Sequence, residues 1–243
     1  MKKSLPLIAS AALVALALAG CSTGSISGSA STAPQQGSGG STQNYTADDL
    51  VKILQTAEKT IGTGTISDNA TVQANIAKAG NLKPSASLTA DGGKIVPASC
   101  GTTLDNSIET DSKGFGVGSS GIAAELNYSK GIVAVFSATH GSLASGLANT
   151  LTTSLQQLFS ACSTMQVTDG SASIAMTMTK VADHTDAAQT WALDEGVDVS
   201  GTTSTTTVIE ALDGNIFITD TAIGGTNADA IAAVNAIVAA AKG

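Results

Sequence analysis

The chain has 243 residues and a formal net charge of −8, with 11 lysines, no arginine, 19 acidic residues and two histidines. An acidic chain without arginine is poorly suited to nucleic acid, where phosphate neutralisation dominates affinity, and to electrostatic docking on anionic lipid. Only 3% of residues are aromatic, so a core must be built from Ala, Val, Ile, Leu and Met.

Met1-Lys2-Lys3 gives a positive head, and an apolar run follows from Leu5 to Gly20. That run is shorter than the ~20 apolar residues a spanning helix needs. Charged head, short apolar middle and small residues at the break describe a secretory signal peptide over residues 1–20. Its end, Leu18-Ala19-Gly20-Cys21, resembles the bacterial lipobox, whose cysteine becomes the first mature residue and is acylated. Each buried lipid methylene stabilises attachment by ~0.8 kcal/mol. Cys21 is therefore the expected lipidation site, a palmitate-type anchor on the outer face of the cell membrane. Residues 22–44 are nearly all Ser, Gly, Thr, Ala, Gln and Pro without charge, a composition that reads as a flexible tether. The remaining stretch, 45–243, is a comfortable size for one extracytoplasmic domain.

Two cysteines then remain, Cys100 and Cys162. An oxidising compartment makes a disulfide the default, and neither cysteine has a nearby Cys or His at metal-ligand spacing. Free thiols or a metal site are the alternatives.

The domain opens with a helix in TADDLVKILQTAEKTIG. Thr46 caps it, Asp48 and Asp49 occupy the first turn, and Leu50, Ile53, Leu54, Ala57 and Ile61 form one stripe ended by Gly62. Residues 63–94 are weakly patterned, with ISDNATVQANIAK as a short helix or loop and SASLTA as a short strand. Pro97 marks a turn before Cys100. The stretch 113–137 reads as strands, the strongest being Gly131–Phe136, joined near Lys130-Gly131 to a strand ending at Tyr128. The period then changes: Leu143, Leu147, Leu151, Leu155, Leu158 and Cys162 recur as on a long amphipathic helix.

Alternation returns at Ile174, Met176 and Met178, which read as core on a half-buried strand. A further strand centres on Trp191. Asp213-Gly214 separates two β-rich runs, a hairpin signal. The last helix starts at an Asn227 cap and lines Ile231, Val234, Ile237, Val238 and Ala241 on one side. The fold class is thus α+β: a mainly antiparallel sheet packed with a few helices, one disulfide and room for a cleft.

Taken in order, the opening helix, VPASC, GIVAVFSATHGSLASGLANTLTTSLQQLFSAC and NIFITDTAIGGTNADAIAAVNAIVAAA resemble the extracellular sensor domains of the PknH type and related actinobacterial cell-envelope lipoproteins. The resemblance spans roughly Asp48 to Lys242. It implies an antiparallel sheet and helices around a ligand-sensing cleft, and a bridge from Cys100 to Cys162. Two family features are missing here, a second disulfide and a tryptophan before the helix-end cysteine, and there is no kinase domain.

Chemistry is sparse. His140 follows a strand, and His184 lies between Asp183 and Asp186, where it could act as a base or metal ligand; both read as solvated loop histidines. No nucleophile elbow, His-Glu-x-x-His or phosphate loop is present. Asp194–Asp198, DEGVD, lacks cation-loop spacing and reads as acidic surface. The expectation is a non-catalytic lipoprotein without cofactor or metal. Its domain would bind a small ligand or envelope component; a protein-interaction or structural module is the alternative.

Overall fold

The computed structural model describes residues 43–79, 93–114, 121–138, 153–154, 156–169, 172–181, 184–199, 201–223 and 225–243, together with Ser85 and Thr89. Its elements in order are α1 (Ala47–Ile61), β1 (Gly64–Ser67), α2 (Asn69–Ala79), β2 (Lys94–Val96), α3 (Ala98–Gly114), β3 (Gly121–Tyr128) and β4 (Gly131–Ala138). Then come α4, helical over residues 156–162, and β5 (Thr164–Asp169), β6 (Ala172–Val181), β7 (Gln189–Val199), β8 (Thr202–Asp213), β9 (Ile216–Ile223) and α5 (Asn227–Lys242). The class is α+β, as the sequence patterning requires.

All nine described strands form one sheet in the order β1-β3-β4-β9-β8-β7-β6-β5-β2. Every pair is antiparallel. The register fixes which side chains share a face, because alternate residues of a strand point to opposite sides. Two-residue turns set it at two places. Ser129-Lys130 joins β3 to β4, with Tyr128 opposite Gly131. Gly214-Asn215 joins β8 to β9, with Asp213 opposite Ile216 and Gly214 at φ 61°, a backbone state that glycine adopts without cost. Asp213 therefore ends β8 instead of sitting in the turn.

On the first face, α1 and α5 pack on β3, β4, β9 and β8. Leu50, Ile53, Leu54 and Ala57 of α1 meet Ala230, Ala233, Val234, Ile237 and Val238 of α5 above Leu126, Val135, Ile209 and Ile218. Each fully buried Leu or Ile here contributes about 1.5–3 kcal/mol. Both helices start with the same device, a threonine cap and an aspartate three residues on: Thr46 with Asp49, and Thr226 with Asp229. The cap of α5 is thus Thr226, and Asn227 is its first helical residue. The hydroxyl and carboxylate satisfy backbone N–H groups that have no partner inside the helix. Lys130 Nζ lies 2.6 Å from Asp229 Oδ1, tying the β3–β4 turn to the start of α5.

The second face carries two apolar clusters that share no residue. Val72 and Ile76 of α2 pack with Ala123, Ala134, Phe136, Leu212, Phe217 and half-buried Trp191. Cys100 and Leu104 of α3 and Leu158 and Cys162 of α4 pack with Met165, Val167, Met176, Met178, Leu193 and Val208. The disulfide Cys100–Cys162 joins α3 to α4 inside this second cluster, where both cysteines are fully buried. Met176 and Met178 are core, as their alternation indicates.

Several expectations change. Cys100 lies in α3, which occupies 98–114, where the sequence was read as a turn and then, from Lys113, strand. Ser85, in the stretch SASLTA read as a short strand, is helical and its carbonyl accepts from the Thr89 N–H; the rest of that stretch lies outside the described residues. Strands β1 and β5 have no strong pattern of their own and are set by pairing with β3 and β6. The long helix before Cys162 is observed over residues 156–162; Leu143, Leu147 and Leu151 lie outside the described residues.

Candidate functional site: a polar seam with buried carboxyls

The two clusters of the second face are separated by polar residues. Register defines the boundary row by row. In one row Glu125 (β3), Ala134 (β4), Thr219 (β9), Glu210 (β8) and Trp191 (β7) lie side by side. The next row of that face carries Thr221, Val208 and Leu193. The next brings together Ile223, Thr206, Glu195 and Met178. Glu210 therefore stands between Leu212 of one cluster and Val208 of the other, and Glu195 stands inside the second cluster, flanked on its face by Leu193 and Val197 and opposite Met178. Along the strands the two carboxyls are four residues apart, about 13 Å.

Glu195 and Glu210 are each 1% exposed. Glu210 has no hydrogen-bond partner at either carboxyl oxygen, and Glu195 has none at Oε1. Burial pushes the Glu195 carboxyl up to about 8 and the Glu210 carboxyl well above the usual carboxylate range. No charged neighbour contributes to either shift, so desolvation alone disfavours the anion. Glu125, half-buried in the row of Glu210, is also raised by burial. On α2, above the same face, the Gln73 side-chain amide is buried with neither its oxygen nor its nitrogen partnered. Buried polar groups in folded proteins are normally paired, and each exception costs about 1–3 kcal/mol. Gln73, Glu195 and Glu210 lie on this face.

Asp220 is the contrasting case on the first face. The Tyr128 hydroxyl donates to its Oδ1 at 3.0 Å, while Oδ2 has no partner. Burial pushes this carboxyl up to about 8 against the opposing pull of that hydrogen bond, and burial together with Asp220 raises the Tyr128 phenol. The pair lies beneath the start of α5, close enough to feel Asp229.

The residues singled out in the sequence fall elsewhere. Cys21 and His140 lie outside the described residues. His184 is exposed in the segment before β7. Cys100 and Cys162 form the bridge. Asp194–Asp198 was read as acidic surface, but it lies inside β7, and Glu195 points into the protein. Glu210 was passed over inside TTTVIEALD, although alternation places it between Val208 and Leu212 on a buried face. Among the described residues, no group of three or more His, Cys, Asp and Glu side chains is arranged to hold a metal ion. No described helix is long and apolar enough to cross a membrane.

No protein-family model and no curated protein matches this chain. Among solved structures it is similar to the extracellular domain of PknH from Mycobacterium tuberculosis, with a TM-score of 0.45 and 10% identity over 84% of this chain and 100% of that one. It is also similar to an uncharacterized protein from Mycobacterium smegmatis, the ortholog of Rv0999, with a TM-score of 0.34 and 14% identity over 63% of this chain and 78% of that one. Both likenesses are distant, and no residue role is carried over from either.

Proposed function

We propose that the chain is a lipoprotein anchored through Cys21, whose extracytoplasmic domain over residues 45–243 binds a small molecule or envelope component without transforming it. The observation behind the binding role is the pair Glu195 and Glu210, buried carboxyls with unpartnered oxygens, Glu210 where the two apolar clusters meet and Glu195 within the second. Buried polar groups that the fold leaves unsatisfied are what a ligand would satisfy. The anchor reading is supported by the lipobox-like Leu18-Ala19-Gly20-Cys21 after an apolar run.

The interaction-module alternative gains less support. Among the described residues, the exposed large hydrophobics are Val96, on the edge strand β2, and Ile223, at the end of β9. Five strand spacings separate those strands in the sheet, so the two do not make one apolar patch.

Native mass spectrometry of the protein purified from its own organism tests the binding role. The expected result is a small molecule that leaves on denaturation and is absent from a Glu195→Gln, Glu210→Gln double variant. A protein that co-purifies in its place, or an empty domain that envelope extracts do not stabilise, would count against it. Metabolic labelling with palmitate tests the anchor: Cys21→Ala should lose the label, and retained label would refute the assignment.

A further inference from the structure

We propose that Cys100, Cys162 and Met165 form a binding site for monovalent copper, closed by the disulfide in the oxidised protein and opened when a dithiol reduces it. The site uses neither Glu195 nor Glu210, so it does not depend on the binding role proposed above. Apart from Met1 and Cys21, every sulfur-bearing residue of the chain is buried in one cluster: Cys100, Cys162, Met165, Met176 and Met178. Register puts Met165 of β5 directly opposite Met176 of β6. The Met178 N–H donates to the carbonyl of Ser163, the residue after Cys162. The Met165 thioether sulfur lies 3.2 Å from Cys100 Sγ. A bridged sulfur has no proton to donate, so this is a direct contact of sulfur with sulfur.

The place of the bridge in the chain makes its sulfurs both competent and reachable. Cys100 is the third residue of α3, so its sulfur stands in the first turn, where the helix dipole favours a thiolate. Residues 96–99 ahead of it are exposed, and so are Ser163 and Thr164 beyond Cys162. The buried bridge is thus one residue from solvent along both segments. No cavity is required. When the S–S bond opens, the two sulfurs part and one ion takes the place of the bond, with the Met165 thioether already in contact. The two Cα atoms, 4.9 Å apart, keep both thiolates within reach of that ion.

The donor set narrows the metal. Thiolates and thioethers are soft ligands that suit Cu(I). A structural zinc takes four donors from Cys, His and carboxylates, and among the described residues no group of three such side chains is arranged to hold a metal ion. The chemistry balances in two steps. A dithiol gives two electrons and two protons to the bridge, leaves as its own disulfide and frees Cys100 and Cys162 as thiols. Cu(I) then displaces both thiol protons and bonds to the two thiolates and to Met165. The oxidised protein offers no thiolate, so the state of the bridge decides whether copper is held.

The test uses the full-length Cys21→Ala chain in detergent, in which Cys100 and Cys162 are the only cysteines. It is reduced without oxygen by a phosphine, since a dithiol would itself bind copper, and is then freed of reductant. Titration against the coloured Cu(I)–bicinchoninate complex reads the metal by loss of absorbance. The expected result is one Cu(I) taken by each reduced chain and none by the oxidised chain. Copper should raise the urea midpoint of the reduced protein. Met165→Leu should bind copper at least tenfold more weakly while its oxidised form stays folded, and Cys100→Ser should bind none. No uptake by the reduced chain, equal uptake by the oxidised chain, or undiminished binding by either variant would overturn the proposal. Uptake that leaves the urea midpoint unchanged would also overturn it, because the thiols of an unfolded chain would then be the ligands.

Discussion

Replacing Glu195 with glutamine should change stability in a pH-dependent way that can be worked from the structure. Glutamine matches glutamate in shape and carries no charge. In the folded protein burial raises the Glu195 carboxyl from 4.5 to about 8. Between those values the folded chain holds a proton that the unfolded chain has released. Stability therefore falls as pH rises, by about 1.4 kcal/mol per pH unit for one such group. The penalty is absent below pH 4.5 and complete above about pH 8. Over that window it approaches roughly 5 kcal/mol, a large share of the 5–15 kcal/mol that holds a typical domain together. Glu210 and Asp220 titrate in both proteins and cancel in the difference. Urea unfolding followed by the fluorescence of Trp191, the single tryptophan, at pH 5, 6, 7, 8 and 9 measures it. The variant should be more stable by only about 1 kcal/mol at pH 5 and by several kcal/mol at pH 9. Parallel curves across the range would show that the Glu195 carboxyl is not buried without a partner, and the seam would lose its basis.

Three further outcomes follow from the fold. Serine at both Cys100 and Cys162 opens a loop of 62 residues and should cost about 4 kcal/mol, read as a lower urea midpoint. Gly131→Ala would place a methyl 2.2 Å from the Thr221 carbonyl oxygen across the β4–β9 pair; strand separation should cost about 3 kcal/mol, and a melting temperature equal to the wild type would contradict that packing. Thr226→Ala removes the α5 cap and should cost about 1 kcal/mol, with faster amide exchange confined to the first turn of the helix.

Elements whose own sequence carries a period were legible. The stripe Leu50, Ile53, Leu54, Ala57 determines α1, and Val and Ile density determines β4. The β8–β9 hairpin follows from two β-rich runs around a glycine turn. Elements held by distant partners were not. In α3 the stretch ASCGTTLDNSIETDSKG is rich in Ser, Thr, Asp and Gly, which have weak helical preference. It is anchored from outside by the Cys100–Cys162 bridge and by Leu104 in the second-face cluster. Strand β5 offers only Met165 and Val167 to the core, too short an alternation to stand out before its neighbours are known. The disulfide was legible through chemistry and compartment, where the helix that carries Cys100 was not.

The seam was hidden for a different reason. Acidic residues are nearly always surface residues, so DEGVD was assigned to water and the glutamate of VIEALD was passed over. Alternation puts Glu210 on the side of Val208 and Leu212, against the usual place of a charged residue. That conflict between local pattern and residue type carries functional information, because departures from a consistent core concentrate where a protein gives up stability for a purpose. Asp220 shows what a structural buried acid looks like in the same molecule: it has a hydroxyl donor in Tyr128 and ties β9 to the end of β3 beneath α5. Glu210 has no such donor. Leucine there would join the two apolar clusters of the second face into one and remove an unsatisfied group, so folding alone gives no reason for a glutamate. A partner that arrives from outside the chain does.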